Sequence, residues 1–153
     1  MNEEAKTRAL RILEKRDLSR KMLLDKLTEK GVSETDALEV TDWLCSLGVV
    51  DDQRYAGLLS RHYALKGYGR RRIEQELFKR GIAKELWVEA MGELPETDET
   101  VYRLLCQKLR GTEGLLPDIQ RAQNFLLRRG YSWEDIRVAL EHYKAQNEEP
   151  TYE

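Results

Sequence analysis

Apolar residues recur along this chain at the three- and four-residue spacing of an amphipathic α-helix. Three of these stripes are Ala5, Ala9, Ile12 and Leu13; Tyr55, Leu58, Leu59, His62 and Leu65; and Val101, Leu104, Leu105 and Leu109. Only three prolines interrupt a sequence dominated by the helix formers Leu, Glu, Arg, Lys and Ala. The pattern therefore predicts an all-α protein.

A sequence repeat becomes visible when three segments are aligned on glycine. Leu27–Val32, Leu77–Ile82 and Leu126–Tyr131 each contain a Leu, two intervening residues, a basic residue, a Gly and an apolar residue, and the glycines are 50 and 49 positions apart. A glycine after a basic last turn is typical of a helix C-terminus, because glycine adopts the left-handed conformation without a steric clash and cations favour the negative helix end. Each repeat is therefore predicted to contain a helix that ends at Gly31, Gly81 or Gly130.

The neighbouring helices follow from capping signals. Eight positions before each aligned Leu stand Ser19, Gly69 and Asp118, which we predict as N-caps. After the glycines, Ser33 and Ser132 have Asp three residues on, similar to a capping box. The helices that begin there have inward stripes predicted as Ala37, Val40, Leu44 and Leu47, and as Ile136, Ala139, Leu140 and Tyr143.

Each repeat is thus expected to be a three-helix unit. The predicted divisions are 1–50, 51–95 and 96–147, followed by a C-terminal tail at 148–153. In the second repeat, Leu86–Met91 has apolar residues around much of its circumference and is expected to be sandwiched between neighbours. Because about 45 residues bury too little surface for a secure core, we expect the three repeats to stack into an elongated, curved array.

Charge is distributed unevenly along the chain. Its 153 residues include 26 Lys and Arg against 28 Asp and Glu, a net charge of −2. Residues 54–84 carry nine positive and two negative side chains, a net charge of +7, whereas the segments before and after carry −3 and −6. A partner would meet a basic middle between acidic ends.

The basic segment becomes a candidate binding surface when it is drawn as a helix. From Arg70 to Arg80, Ile73 and Leu77 point to one side, and Arg71, Arg72, Gln75 and Lys79 to the other. A solvated charged face usually alternates in sign, whereas three consecutive arginines here have only two carboxylates nearby. The candidate residues for binding a partner or nucleic acid are Tyr68, Arg70, Arg71, Arg72, Lys79 and Arg80. A merely solvated face, and a Tyr68 that covers the repeat core, remain the alternatives.

The sequence contains no pattern typical of an enzyme. His62 and His142 are the only histidines, and neither lies in a metalloprotease, nucleophile-elbow or phosphate-loop motif. His62 is interpreted as a partly buried, hydrogen-bonded residue of its helical stripe. Cys45 and Cys106 lack the spacing of zinc ligands and are expected to be reduced thiols. We therefore expect no catalysis, cofactor or metal.

Localisation is predicted from two further features. The first residues, Met1–Glu4, are not a basic region followed by an apolar stretch, and no run of 18 apolar residues occurs. We expect a cytoplasmic protein without a membrane anchor.

Several motifs, taken in order, resemble the bacterial RecX family. They are Val50–Ala56, Lys66–Leu77, Lys79–Ile82 and Phe125–Tyr131, followed by Ile136. Each motif is short, but their order, their spacing and the threefold repeat make the resemblance specific over residues 5 to 145. One departure is Arg70, where some family members have proline, and this makes the surface more basic.

This resemblance implies an all-α protein of tandem three-helix repeats that needs no cofactor. It implies binding to the RecA recombinase and its nucleoprotein filament, with weak contacts to the DNA phosphate backbone, by a monomer. Family members modulate RecA, usually by inhibiting strand exchange, ATP hydrolysis and the coprotease activity of the SOS response. The family carries no motif that identifies a site, so the basic residues above are predicted from charge alone.

Two alternatives from other classes remain open. A free-standing helical transcriptional regulator would use the stretch from Arg70 to Arg80 as a recognition helix, although only this helix is basic and the overall pI is about 5.9. A hydrolase or nuclease would show turnover or cleavage that EDTA abolishes.

Overall fold

The computed structural model describes residues 1–92, 94 and 97–147. The α-helices over these residues are α1 (Glu3–Lys15), α2 (Arg20–Glu29), α3 (Glu34–Ser46), α4 (Asp52–Leu65), α5 (Arg70–Lys79), α6 (Trp87–Gly92), α7 (Thr97–Leu109), α8 (Leu116–Arg128) and α9 (Trp133–Asn147), with a short 3-10 helix at Lys84–Leu86 before α6. The described part of the chain contains no strand, so the all-α prediction is confirmed. The predicted boundary near Pro95 and Glu96 and the predicted tail at 148–153 lie outside the described residues.

The chain forms two compact units. The described residues of the first unit fall within Met1–Ser60 and Gln75–Glu93, and those of the second within Arg61–Glu74 and Leu94–Glu153. The helices α4 and α5 therefore each contribute residues to both units. The division into three repeats stays a prediction.

In the first unit, α1, α2 and α3 pack against one another. Their shared core consists of Ala5, Ala9, Leu18, Leu23, Leu27, Ala37, Val40, Leu44 and Val50. The predicted inward stripes of α1 and α3 supply most of these residues. Leu47 was expected to join them but is 57% exposed, because α3 ends at Ser46 and Leu47 occupies its C-cap.

The helices α2 and α3 begin at the N-cap residues that the sequence predicts, Ser19 and Ser33. The Ser19 hydroxyl accepts a hydrogen bond from the Met22 N–H at 3.3 Å, which confirms Ser19 as the N-cap of α2. The same hydroxyl donates to the Arg80 carbonyl at 2.6 Å. Ser33 accepts from the Asp36 N–H at 3.2 Å, but the Asp36 carboxylate accepts from the Asn2 side chain instead of completing a capping box.

In the second unit, α7, α8 and α9 also pack against one another. Their core consists of Val101, Leu105, Leu109, Ala122, Leu126, Tyr131, Ile136, Ala139 and Leu140. Ser132 and Asp135 form a reciprocal capping box at the start of α9. The Asp135 N–H donates to the Ser132 hydroxyl with a nitrogen–oxygen distance of 3.1 Å, and the Ser132 N–H donates to the Asp135 carboxylate at 3.2 Å. This confirms the helix start predicted there.

The predicted N-cap at Asp118 is wrong. The helix α8 begins at Leu116 with Leu115 as its N-cap, and Pro117 lies within its first turn. Proline is compatible with that turn because its fixed φ is helical and its missing N–H would have no partner there. Asp118 instead occupies the third helical position, where its carboxylate accepts from the Leu115 N–H at 3.3 Å.

Two predicted apolar faces are also wrong. On α4, Leu58 and Leu65 are 45% and 84% exposed and His62 is exposed, whereas Ala56 and Ser60 are buried. The buried face of α4 thus carries small residues, while hydrophobic periodicity favoured the larger leucines. The helix α6 buries only Met91 among its described residues. Val88 is 77% exposed, so α6 is not sandwiched.

The three aligned glycines follow helix ends, as predicted. Gly31, Gly81 and Gly130 have φ of 91°, 73° and 98°, the left-handed conformation that glycine adopts without strain. Their surroundings differ. A Cβ on Gly31 would meet nothing within 4 Å, whereas a Cβ on Gly81 would lie 2.5 Å from the Lys21 Cβ.

This difference gives a matched pair of substitutions. Gly31→Ala should lower the free energy of unfolding by about 1 to 2 kcal/mol, since only the left-handed conformation is penalised. Gly81→Ala should cost about 1 kcal/mol or more in addition, because α2 must move to relieve the contact with Lys21. Urea denaturation followed by circular dichroism measures both. Equal losses would show that the contact at Gly81 carries no energetic cost.

Candidate partner-binding surface

A tight turn joins α4 to α5 and places the first candidate residue. Gly67, two residues beyond the end of α4, has φ of 86°, and its N–H donates to the Ala64 carbonyl at 3.0 Å. The Tyr68 N–H donates to the Tyr63 carbonyl, also at 3.0 Å. These bonds satisfy carbonyls that the end of a helix leaves open. The two hydrogen bonds therefore fix the backbone of Tyr68, two residues before the first arginine of α5.

The first turn of α5 is held by the backbone of another helix end within the second unit. The Gly69 N–H donates to the Arg129 carbonyl at 2.7 Å, and the Arg71 N–H donates to the Gly130 carbonyl at 3.1 Å. The N-terminus of α5 is thus capped by carbonyls that follow α8, and no side-chain cap is needed. The positive end of one helix also meets the negative end of another, which is electrostatically favourable.

This contact requires two glycines. A Cβ on Gly69 would lie 2.6 Å from both the backbone carbon and the oxygen of Gly130. A Cβ on Gly130 would lie 2.5 Å from the backbone nitrogen of Arg72. Since real Cβ atoms do not approach backbone atoms so closely, any side chain at either position would push α5 away from the end of α8.

The buried side chain of Tyr131 forms a hydrogen bond to the same turn. It is 2% exposed, and its hydroxyl donates to the Gly67 carbonyl at 2.8 Å. Burial raises the pKa of Tyr131 to about 12, while the nearby positive charges of Arg129 and Arg103 act in the opposite direction. The phenol therefore stays protonated and keeps donating at neutral pH.

Two arginines cover the ring of Tyr68. The guanidinium carbons of Arg72 and Arg129 lie 4.9 and 4.5 Å from its centroid, within the range of a cation–π interaction. The ring also packs edge to face on Tyr63, with centroids 5.4 Å apart. Arg129 is further held by a hydrogen bond to the Lys66 carbonyl at 2.9 Å. Tyr68 and Arg72, both half-buried, are therefore part of a packed cluster.

Arg129 belongs to this cluster but was not among the predicted site residues. Its signal in the sequence is its place immediately before Gly130, the aligned glycine of the third repeat. That position was interpreted only as a helix C-terminal charge. In the structure, the guanidinium group of Arg129 also contacts the ring of Tyr68.

Arg70 and Arg71 are exposed in the first turn of α5. This turn contains no acidic residue, in contrast to the first turns of α1, α3 and α9. Cations at a helix N-terminus are unfavourable, because the partial charge there is already positive. Among the described residues, no carboxylate forms an ion pair with Arg70 or Arg71. The arrangement is suited to accept an anion from outside.

The candidate residues at the other end of α5 belong to the first unit. Lys79 has a side chain that is 66% exposed and lies 3.5 Å from the Glu76 carboxylate. Arg80 forms a closer ion pair with Glu76, whose side chain is 6% exposed. Because a buried carboxylate needs a charged partner, Arg80 serves the stability of this helix end. Lys79 retains an exposed ammonium group.

The helical wheel of α5 is confirmed for most of its positions. Ile73 and Leu77 are 1% and 0% exposed, and Arg71 and Gln75 are exposed on the other side. Arg72 differs, since it turns onto the rings of Tyr63 and Tyr68 and is half-buried.

Other candidate chemistry is limited in the described part of the chain. No group of three His, Cys, Asp or Glu side chains there is arranged to hold a metal ion. Cys45 and Cys106 are free thiols, and burial raises the pKa of Cys45. Of the helices described, none is both long and apolar enough to cross a membrane.

Comparison with known proteins identifies the class and then the family. The model of the first three-helix domain of RecX matches residues 5–44, and that of the second matches residues 51–91. The regulatory protein RecX of Chromohalobacter salexigens is 33% identical over 139 residues, which are 88% of this chain and 89% of that protein. The one from Vibrio campbellii is 32% identical over 138 residues, 89% of each.

The fold is similar to a solved structure as well. RecX from Lactobacillus salivarius superposes with a TM-score of 0.84 over 94% of this chain and 96% of that chain, at 20% sequence identity, a likeness that concerns the fold alone. The chain is thus an all-α member of a class of regulatory proteins. It belongs to the RecX family.

Substitution at Gly69 tests the contact that positions the arginines. Gly69→Ala should lower the free energy of unfolding by about 2 kcal/mol, because the new Cβ collides with the Gly130 backbone. Gly92→Ala is the control, since a Cβ there would meet nothing within 4 Å. It should change stability by less than about 0.5 kcal/mol in the same denaturation experiment. A Gly69→Ala protein as stable as the control would contradict the close approach.

The buried phenol predicts a pH dependence. Because the pKa of Tyr131 is raised to about 12, its contribution to stability is complete below the ordinary tyrosine value near 10 and is lost as pH rises through 12. The free energy of unfolding should therefore fall more between pH 10 and pH 12 in the wild type than in Tyr131→Phe. Absorbance at 295 nm should show a late-ionising tyrosine in the wild type that is absent from Tyr131→Phe. Identical pH profiles would contradict this assignment.

Proposed function

We propose that this protein is a non-enzymatic regulator that binds the RecA recombinase and its DNA filament. It inhibits the recombinase, ATPase and coprotease activities of RecA in DNA repair and the SOS response. The proposal is supported by membership of the RecX family, whose relatives are named regulatory proteins. The observation that carries the site is the pair of exposed arginines, Arg70 and Arg71, at a helix N-terminus without acidic residues.

The chemistry of this pair fits a filament that presents phosphate and carboxylate groups. Arginine binds both anions with two parallel hydrogen bonds, and its charge is fixed at neutral pH. The backbone of Arg71 is already fixed by its bond to the Gly130 carbonyl at 3.1 Å. Less backbone entropy is therefore lost on binding than if the arginines lay on a mobile loop.

The six candidate residues take different roles in this proposal. Arg70, Arg71 and Lys79 contact the partner, because their side chains are exposed. Tyr68 and Arg72 position the first turn of α5 through their mutual packing. Arg80 acts through its ion pair with Glu76 and supports the helix end that presents Lys79.

The remaining expectations are part of the same proposal. The protein acts in the cytoplasm as a monomer of three tandem three-helix repeats, and no cofactor takes part. Contacts to DNA phosphate are weak compared with those to the recombinase filament.

The test removes the exposed charges and measures RecA. Arg70→Gln/Arg71→Gln should inhibit the ATPase activity of RecA on single-stranded DNA at least tenfold less effectively than the wild type. A tenfold loss corresponds to about 1.4 kcal/mol of binding free energy, within the range expected for two charged contacts. Circular dichroism should be unchanged, since both residues are exposed.

A control with the same change of charge separates local contact from general electrostatics. Arg137→Gln/Lys144→Gln removes two exposed charges from α9 and should inhibit like the wild type. Equal inhibition by Arg70→Gln/Arg71→Gln and the control would exclude this site. Absence of inhibition by the wild type, together with tight binding to bare duplex DNA, would instead favour a free-standing DNA-binding regulator.

A further inference from the structure

A second concentration of positive charge lies in the first unit, within a segment that is acidic overall. An open groove of about 920 Å³ runs between α1 and α2. Its basic lining residues are Arg8, Arg11, Lys15, Arg16, Lys26 and Lys30. Glu14 and Ile12 also line it, so among these residues six cations face one carboxylate.

Most of these cations have no counter-charge within the described residues. Arg8 pairs with Glu4 at 3.2 Å and donates to the Lys30 carbonyl at 2.6 Å, so it also ties α1 to the end of α2. None of the other five forms an ion pair with a residue that the structure describes. Elsewhere in the first unit cations are paired, for example Arg20 with Asp42 at 2.8 Å. The groove is therefore an uncompensated positive region.

We propose that this groove binds the phosphate backbone of nucleic acid. Arg8, Arg11 and Lys15 follow one stripe of α1 and span about 10 Å along the helix axis at 1.5 Å per residue. That length corresponds to about three phosphates at 3.4 Å per nucleotide along a strand. Lys26, in the last turn of α2, and Lys30, its C-cap four residues later, provide a second stripe.

The composition of the groove favours nucleic acid over an acidic protein. Protein interfaces depend on buried aromatic or aliphatic anchors, and Ile12 is the one such residue among the eight lining residues named above. Backbone contacts to DNA or RNA need only Lys and Arg and carry no sequence information. None of these eight residues is an aromatic side chain of the kind on which bases stack. Binding is therefore independent of sequence and depends strongly on salt.

The groove is tested with DNA alone, in the absence of recombinase. Arg11→Gln/Lys15→Gln/Arg16→Gln removes three exposed cations and leaves Arg8, which ties the two helices together. Fluorescence anisotropy with a mixed-sequence single-stranded oligonucleotide should show affinity reduced at least tenfold at low salt. The slope of log affinity against log salt should flatten by about 2, since each lost contact accounts for about 0.7.

The control is Arg110→Gln/Arg137→Gln/Lys144→Gln, which removes three exposed cations outside the groove. It should keep the slope of the wild type, and circular dichroism should show both variants folded. An equal loss in both variants, or no loss in either, would overturn the groove as the site. Poly-L-glutamate that binds as tightly as DNA, with the same dependence on Arg11, Lys15 and Arg16, would overturn the choice of nucleic acid.

This inference stands apart from the proposed inhibition of RecA. A groove variant that no longer binds DNA but still inhibits the ATPase activity supports both sites. A failure of the groove experiment leaves the role of Arg70 and Arg71 open to its own test, because that test measures RecA activity.

Discussion

The close approach of Gly69 and Gly130 determines how the second unit presents its arginines. Two backbone hydrogen bonds, from the N–H groups of Gly69 and Arg71, replace the side-chain cap that α5 lacks. These bonds form only because neither glycine has a Cβ. The direction of the first turn of α5, and with it the placement of Arg70 and Arg71, follows from this backbone contact.

The packing around that contact explains why equally charged residues differ in role. Arg72 and Arg129 both place their guanidinium groups over the ring of Tyr68, so part of their positive charge is used in packing. Arg80 is bound to a buried glutamate. Arg70 and Arg71 have no such neighbour among the described residues. A cation that the fold does not use remains available for a ligand, although it costs stability at a helix N-terminus.

Much of the helical organisation could be predicted from local signals. Glycine after a basic turn marks three helix ends, and Ser19 and Ser132 begin helices, because these effects operate within a single turn. The errors occur where the outcome depends on distant residues. Leu58 and Leu65 belong to the more apolar face of α4, yet Ala56 and Ser60 are buried. Periodicity measures the hydrophobicity of a face, whereas packing also depends on how closely a neighbour can approach.

The candidate site was predictable in part for the same reason. The cluster of arginines in the sequence identified Arg70 and Arg71, because neighbouring residues on a helix remain neighbours in space. It did not identify Arg129, which reaches Tyr68 from 61 residues away along the chain. Nor could the sequence show that Arg80 and Lys79 have different roles. Only the fold shows that Arg80 is the one that pairs closely with the buried Glu76.

The groove between α1 and α2 shows why net charge per segment is a poor guide to local potential. Residues 1–52 sum to −3, yet two helices bring six cations to one groove. In physiological salt a charge acts over about 8 Å, so an approaching phosphate senses the groove and not the segment. The acidic residues counted in that sum, such as Glu39 and Asp42 on α3, are engaged with the N-terminal amine and Arg20. A chain that is acidic overall can therefore present more than one surface suited to an anionic partner.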